Sequence, residues 1–368
     1  MVRSGRAFWL VGPWTPGGRL TAAGQRRTRL TGLSPLEARE QCCFGSIGRR
    51  LHCARVRIVS LLPSATEIVS LLGLDEHLVG ISADSDWPPA LVERLPVLNT
   101  VSIDTSALSS RQIDAAASSS GHAEASLYHV DPDRLRSLRP DLILTQTTCE
   151  VCAVSRRDVD LATRTLGYAP RVVSLNPLSV DDVLQDIALV AAEAGVPERS
   201  GPPIARLRQR LENVRTRAAR VPRPRVFCME WLDPPFSAGH WVPEMVELAG
   251  GCDELGTPAG PSRRIDWSEV IAYAPSVIVL MPCSLELDRV AAEFPLLCSL
   301  PGWSELPAVK AGQVFAGNTH LFSRSGPRLV DGVETLARLL HPTVFDQPLP
   351  AGFALKVTPD GQRLEPFS

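Results

Sequence analysis

The chain has 368 residues, 44% hydrophobic and 21% charged, with a formal net charge of −2. That balance supplies enough apolar residues for one large or two ordinary domains, and it lacks the strong basic bias of a nucleic-acid or anionic-membrane binder. No run reaches the ~18 apolar residues of a membrane-spanning helix.

The first 55 residues are rich in arginine and glycine and hold only Glu37 and Glu40 as acids. Ala7–Val11 is too short for a secretory apolar core, and no small-residue cleavage site follows it. This stretch is read as a disordered, Arg-rich extension outside the fold. The nine cysteines are odd in number and scattered, unlike a secreted disulfide framework. Only Cys149-Glu-Val-Cys152 has chemically suggestive spacing. The readings open to it are two buried thiols, a redox-active pair, half of a metal site or a small-loop disulfide.

Val56–Leu62 predicts a strand, followed by a helix to Leu72 that Ser64 and Glu67 could cap as a capping box, with Gly73 as its stop. A short strand, Leu78–Ser82, leads into the loop Asp84-Ser-Asp86-Trp87-Pro88-Pro89. Residues 99–126 are Ser/Ala-rich with weak periodicity and read as a loop or partly helical insertion. Then come a helix at Pro132–Leu138, a strand at Asp141–Gln146, a helix near Arg157–Leu166, a strand at Arg171–Leu175 and a helix at Val180–Ala194. Strand–helix alternation predicts a mainly parallel sheet covered by helices.

In Pro203–Ala219, the residues Ile204, Leu207, Leu211, Val214 and Ala218 form one apolar stripe, and arginines fill the remaining faces. A helix of about 17 residues spans roughly 25 Å, longer than a connection requires. It predicts a strut with a solvated arginine face. Beyond it the alternation restarts with a strand at Arg225–Trp231, a loop at Asp233–His240 and a helix at Val242–Ala249. A helix at Asp266–Tyr273, a strand at Ser276–Met281, a helix at Leu285–Phe294, a strand at Gln313–Ala316 and a closing helix at Pro327–Leu340 complete the series. Asp131–Leu144 aligns without gaps to Asp266–Val279, each reading as capped helix, proline turn and buried strand. A repeated unit on either side of the long helix predicts two similar α/β lobes, 56–200 and 222–341. The helix at 201–221 joins them, a tail follows at 342–368, and a cleft lies between the lobes.

Ile58–Gly73, Ser85–Pro89 and Arg139–Leu144 resemble the iron–siderophore/vitamin B12 group of ABC-transporter substrate-binding proteins. Arg225–Gly251, with Asp233-Pro-Pro-Phe-Ser-Ala-Gly-His240 inside it, is most similar to the cobalamin-binding branch. The resemblance covers about residues 56–341. It implies two Rossmann-like lobes joined by one long rigid helix, as in class III periplasmic binding proteins and helical-backbone metal receptors. It further implies a non-enzymatic monomer that hands its ligand to an ABC permease, with cobalamin or a related corrinoid as transported ligand, no catalytic cofactor and no nucleic-acid partner. No glycine-rich phosphate loop, HExxH motif or nucleophile elbow argues otherwise.

A corrin is flat, largely apolar and ringed with amides, so aromatic faces and a few hydrogen-bond donors would hold it. The expected ligand residues are Trp87, Trp231, Phe236, His240, Trp241 and Arg324, with Arg328 at the same cleft-edge segment. The resemblance places permease-docking acids at Asp133 and Glu247. Two alternatives remain: a haem or iron–siderophore binder, which would call for basic groups in the cleft, and a cytosolic redox or metal-handling relative using Cys149 and Cys152. On localisation the family is extracytoplasmic, whereas this chain shows no evident signal peptide.

Overall fold

The computed structural model describes residues 55–102, 104–105, 107–120, 128–147, 154, 156–164 and 166–367. The first lobe opens with β1 (Ile58–Ser60), α1 (Pro63–Leu71), β2 (Leu78–Ile81) and the short α2 (Pro89–Val92). The Ser/Ala-rich segment then resolves into β3 (Asn99–Val101), α3 (Ser110–Ser120) and β4 (Tyr128–Val130). After it come α4 (Pro132–Leu138), β5 (Leu142–Thr145), α5 (Arg156–Thr163), β6 (Arg171–Ser174) and α6 (Val180–Glu193). Strands β2-β1-β5-β6 make an all-parallel sheet, and β3 pairs with β4 as a separate antiparallel ribbon. Leu142–Thr145 are all buried, as expected where helices cover both faces of a parallel sheet.

α7 (Gly201–Ala218) leads to the second lobe, which begins with β7 (Val226–Trp231), β8 (Phe236–Ser237) and β9 (Gly239–His240). Next are α8 (Val242–Leu248), β10 (Thr257–Pro258), β11 (Arg263–Arg264), α9 (Trp267–Tyr273), β12 (Val277–Leu280) and α10 (Leu287–Cys298). The lobe closes with α11 (Pro307–Lys310), β13 (Val314–Gly317), α12 (Leu329–Leu340), β14 (Ala354–Val357) and β15 (Leu364–Pro366). Its mixed sheet runs β11-β8-β7-β12-β13-β14-β15. The segment 342–368, expected as a tail, contributes β14 and β15, which extend the sheet antiparallel from β13.

The internal repeat holds in detail. Asp131 and Asp266 occupy the N-caps of α4 and α9. Both helices end on a left-handed residue, Arg139 (φ 44°) and Ala274 (φ 48°), ahead of Pro140 and Pro275. The strands that follow, β5 and β12, lie inside their sheets. The opening of α1 departs from expectation. Leu62 holds its N-cap without a side-chain bond, Pro63 takes the first turn, and both Ser64 and Glu67 are buried. Glu67 is therefore not a capping partner.

α7 joins the lobes by packing on both cores. Leu207 belongs to the first-lobe cluster around Ile68, Leu142 and Ile187, whereas Val214 and Ala218 belong to the second-lobe cluster around Val246, Val279 and Leu336. Leu211 touches both. Full burial of each such side chain is worth ~1.5–3 kcal/mol, so the stripe clamps the lobes more than any surface pair can. α6 and α12 cross the same boundary through Val180 and Val183 on one side and Val330 on the other. The arginine face is not uniformly solvated: Arg210 donates to Asp331 at 2.5 Å and to Glu334 at 2.6 and 2.9 Å, both on α12. Those bonds hold its guanidinium proton more firmly than usual.

Candidate functional site

The loops at the C-terminal ends of β2 and β13 meet across the boundary between the lobes, where open α/β sheets place their ligands. The loop after β2 carries Asp84, Ser85, Asp86 and Trp87. Ser85 is fixed by a 3.0 Å hydroxyl–hydroxyl bond to Thr66 of α1. The loops after β12 and β13 carry Cys283, Glu286, His320, Ser323 and Arg324, and Arg328 precedes α12.

These groups meet in an ion network. Arg328 donates to Glu67 through Nε at 3.0 Å and Nη2 at 2.6 Å, and to both oxygens of Asp86 at 3.0 and 3.1 Å. Arg324 pairs with Asp86 as well. His320 lies 2.8 Å from Glu286 through Nε2 and 3.5 Å from Asp86 through Nδ1. The two guanidiniums are only 17% and 18% exposed, and the Glu67 side chain 3%. Burial raises the Glu67 pKa above its usual value, and Arg328 pulls it partly back. Burial also pushes Arg324 down to about 10, still charged at neutral pH. Asp84 is raised by burial and accepts from the Tyr128 hydroxyl, which is itself pushed well up by burial. His320 is lowered, again chiefly by burial.

Gly326 lets the lobes approach each other here. A Cβ on it would stand 3.1 Å from Glu67 Oε2 and 3.3 Å from the Ser64 backbone. Deeper in the second lobe, Glu230 at the end of β7 accepts from Gly239 N–H at 3.3 Å and from the Ser262 hydroxyl. Burial lifts Glu230 to about 7, and Asp253 nearby also to about 7.

The expected ligand residues fall into three groups. Trp87 and Arg324 lie at the network: Trp87 is 47% exposed, and the Arg328 guanidinium sits 5.7 Å from its ring centre. His240 and Trp241 form a second group, rings 5.5 Å apart. The Trp241 indole donates 2.7 Å to the Phe322 carbonyl and packs on the second-lobe core. His240 adopts a left-handed backbone (φ 51°), its N–H bonded to Gly260 at 2.6 Å, and burial lowers its ring pKa. Trp231 and Phe236 are cross-strand partners on β7 and β8. Trp231 meets α3 of the first lobe, whose Ser110 carbonyl accepts from its indole at 3.1 Å, and Phe236 faces Arg264, which pairs with Asp114 of α3.

Asp133 and Glu247 are exposed on α4 and α8, Asp133 beside Arg136 at 2.5 Å and Glu247 beside Arg223 at 3.6 Å. Cys149 and Cys152 lie outside the described residues. Among those described, no group of three or more His, Cys, Asp or Glu side chains is placed to hold a metal ion, and no helix is long and apolar enough to cross a membrane. Sequence reasoning missed Glu67, Tyr128, Glu230 and Cys283. The available signal was the pair Arg324 and Arg328, four residues apart, which needed acidic partners that the loop Asp84–Asp86 could supply.

A sequence profile of the family described as periplasmic binding protein matches residues 58–319. A vitamin B12-binding protein of Vibrio cholerae is 25% identical over 287 residues, covering 77% of this chain and 88% of that protein. One from Yersinia pestis is 26% identical, covering 77% and 86%. Among solved structures, the periplasmic vitamin B12 binding protein of Vibrio cholerae superposes with a TM-score of 0.57 at 24% identity, covering 77% of this chain and 96% of that one. A periplasmic heme-binding protein from Roseiflexus superposes with a TM-score of 0.59, also at 24% identity, covering 77% and 97%.

Proposed function

This chain belongs to the periplasmic binding protein family, and we propose that it binds cobalamin or a related corrinoid between its lobes and delivers it to an ABC permease. The curated relatives support the corrinoid, whereas the solved structures alone do not discriminate, since a heme binder fits the fold as well as a B12 binder. The observation that carries the reading is the charge state of the cleft. An anionic ligand such as haem or a ferric siderophore needs guanidiniums free to meet its carboxylates. Here Arg324 and Arg328 are already bound to Asp86 and Glu67, with Asp84 close by. A haem propionate would have to displace a protein carboxylate from each. A corrinoid, whose rim is mostly neutral amides, leaves those pairs intact and uses aromatic surface such as Trp87.

In the delivery step Asp133 and Glu247 are the carboxylates offered to a permease, one on each lobe. Their arginine neighbours leave them 86% and 70% exposed, so exchange for a partner's cations costs little.

Titration with cyanocobalamin and with haem, followed by calorimetry and visible absorption, tests the ligand. Micromolar or tighter corrinoid binding, weakened about tenfold or more in Trp87→Ala, is the expected result. Haem binding without corrinoid binding would overturn the assignment.

A further inference from the structure

The segment from Thr105 through α3 belongs by sequence to the first lobe, between β3 and β4, yet its side chains and backbone dock on the second. Arg289 of α10 donates to the carbonyls of Thr105, at 3.4 Å, and Leu108. The Ser110 N–H, at the first turn of α3, donates to both Glu293 oxygens at 3.1 and 3.3 Å, placing a second-lobe carboxylate at the positive end of the helix. Arg111 pairs bidentately with Asp233 at 2.8 and 2.9 Å, and Asp114 with Arg264 at 2.8 Å. Ile113 adds an apolar contact by packing on the second-lobe core.

α3 is also stiffened independently of that docking. Ser109 and Gln112 exchange reciprocal bonds of 2.8 and 3.4 Å, a capping box closed within the segment. Its composition, SRQIDAAASSS, offers little apolar area to hold it down. A preformed helix fixed by ion pairs across a lobe boundary can detach as a unit, because the Arg111 and Arg264 ends of its pairs are 74% and 57% exposed, which leaves pairs to the half-buried Asp233 and Asp114 weak and open to screening by salt.

We propose that α3 is a lid over the Trp231–Phe236 wall of the cleft, latched by Arg111–Asp233 and Asp114–Arg264 and lifted when those pairs open together with the Glu293, Arg289 and Trp231 bonds at its first turn. Shut, it satisfies the Trp231 indole with its own carbonyl, and Arg264 stands 5.6 Å from the Phe236 ring centre. Lifted, it uncovers two adjacent aromatic faces on neighbouring strands, a surface suited to one flank of a flat macrocycle. The lid's role in ligand entry rests on the function proposed above; the latch itself does not.

Hydrogen exchange of residues 107–118 in the ligand-free chain tests the latch. Raising salt from 0.05 to about 0.5 M, or substituting Arg111→Gln together with Arg264→Gln, should speed exchange there about tenfold and leave β5 and β12 unchanged. The charge-swapped pair Arg111→Asp with Asp233→Arg should restore slow exchange. Stopped-flow binding of cyanocobalamin should then show faster association in the double Gln variant. Exchange insensitive to salt and to both variants would overturn the latch even if cyanocobalamin binds. A salt-sensitive latch in a chain that binds no corrinoid would sink the ligand reading and leave the latch standing. Unchanged association in the double variant would overturn the lid as the entry route.

Discussion

At Glu67 a carboxylate is held almost wholly out of water, and the group that makes this tolerable is the Arg328 fork from the other lobe. Removing one member of such a pair strands the other, which costs about 3–5 kcal/mol, far more than the pair contributes over an apolar substitute. Arg328→Met is therefore expected to destabilise the chain by about that amount in chemical denaturation at pH 8, and Arg328→Met with Glu67→Met to recover most of it. The pH dependence has a definite sign. Burial already raises the Glu67 pKa, and loss of Arg328 raises it further. The folded single variant then takes up a proton at a pH where the unfolded chain has none bound at this carboxyl. Its stability deficit should shrink as pH falls from 8 towards the unfolded value near 4.5, whereas the double variant should not show this recovery. A deficit that is flat with pH would show that Glu67 does not carry the cost. No local pattern around Glu67 announces this role, because the partner is 261 residues away and the Ser64–Glu67 spacing imitates a cap.

Among the elements, the most legible were those whose signals are short-range. The paired units 131–144 and 266–279 could be aligned from the sequence because cap, proline and buried strand all lie within 14 residues of each other, and the structure builds both alike. Asp131 accepts from the N–H groups of Asp133 and Arg134, and Asp266 closes a capping box with Glu269. Asp131→Ala and Asp266→Ala should each cost about 1 kcal/mol, and together their sum, since the sites share no partner. A marked departure from additivity in thermal unfolding would show the two caps to be coupled. α7 was equally legible through its apolar stripe, although the reach of Arg210 to α12 was not, because a helix pattern shows which face is polar and not what stands opposite it. α3 was the least legible. Its weak periodicity fits a helix that docks by charge, and nothing within it points to Asp233 or Arg264 more than a hundred residues on. That docking also joins Trp231, expected among the ligand aromatics, to a carbonyl of α3.

On the scale of the molecule, two helix-covered sheets related by an internal repeat share a boundary that three helices, an ion network and α3 all cross. The fold class and the strut were readable from alternation and repetition. The closure of the cleft was not, since it depends on contacts between the halves. The two sheets also end differently, and the second depends on its last 27 residues. β13 pairs with β12 on one side and would be an outer strand, with the backbone donors and acceptors on its other edge along Phe315–Gly317 unpaired, were it not for β14. β15 in turn covers β14 and carries Pro366, which has no N–H to offer. One of the chain's two lysines, Lys356, lies mid-strand in β14, 5.5 and 5.7 Å from the rings of Phe315 and Phe367. A chain stopped after His341 would expose a bare hydrogen-bonding edge with apolar rings beside it, a template on which further copies can add strand by strand. Static light scattering should rise with concentration for that shortened chain and stay flat for the whole one; equal behaviour would mean the last two strands are dispensable. The closing strands thus cover the open edge of the sheet whose next loop, from Asn318 onward, supplies His320, Arg324 and Arg328.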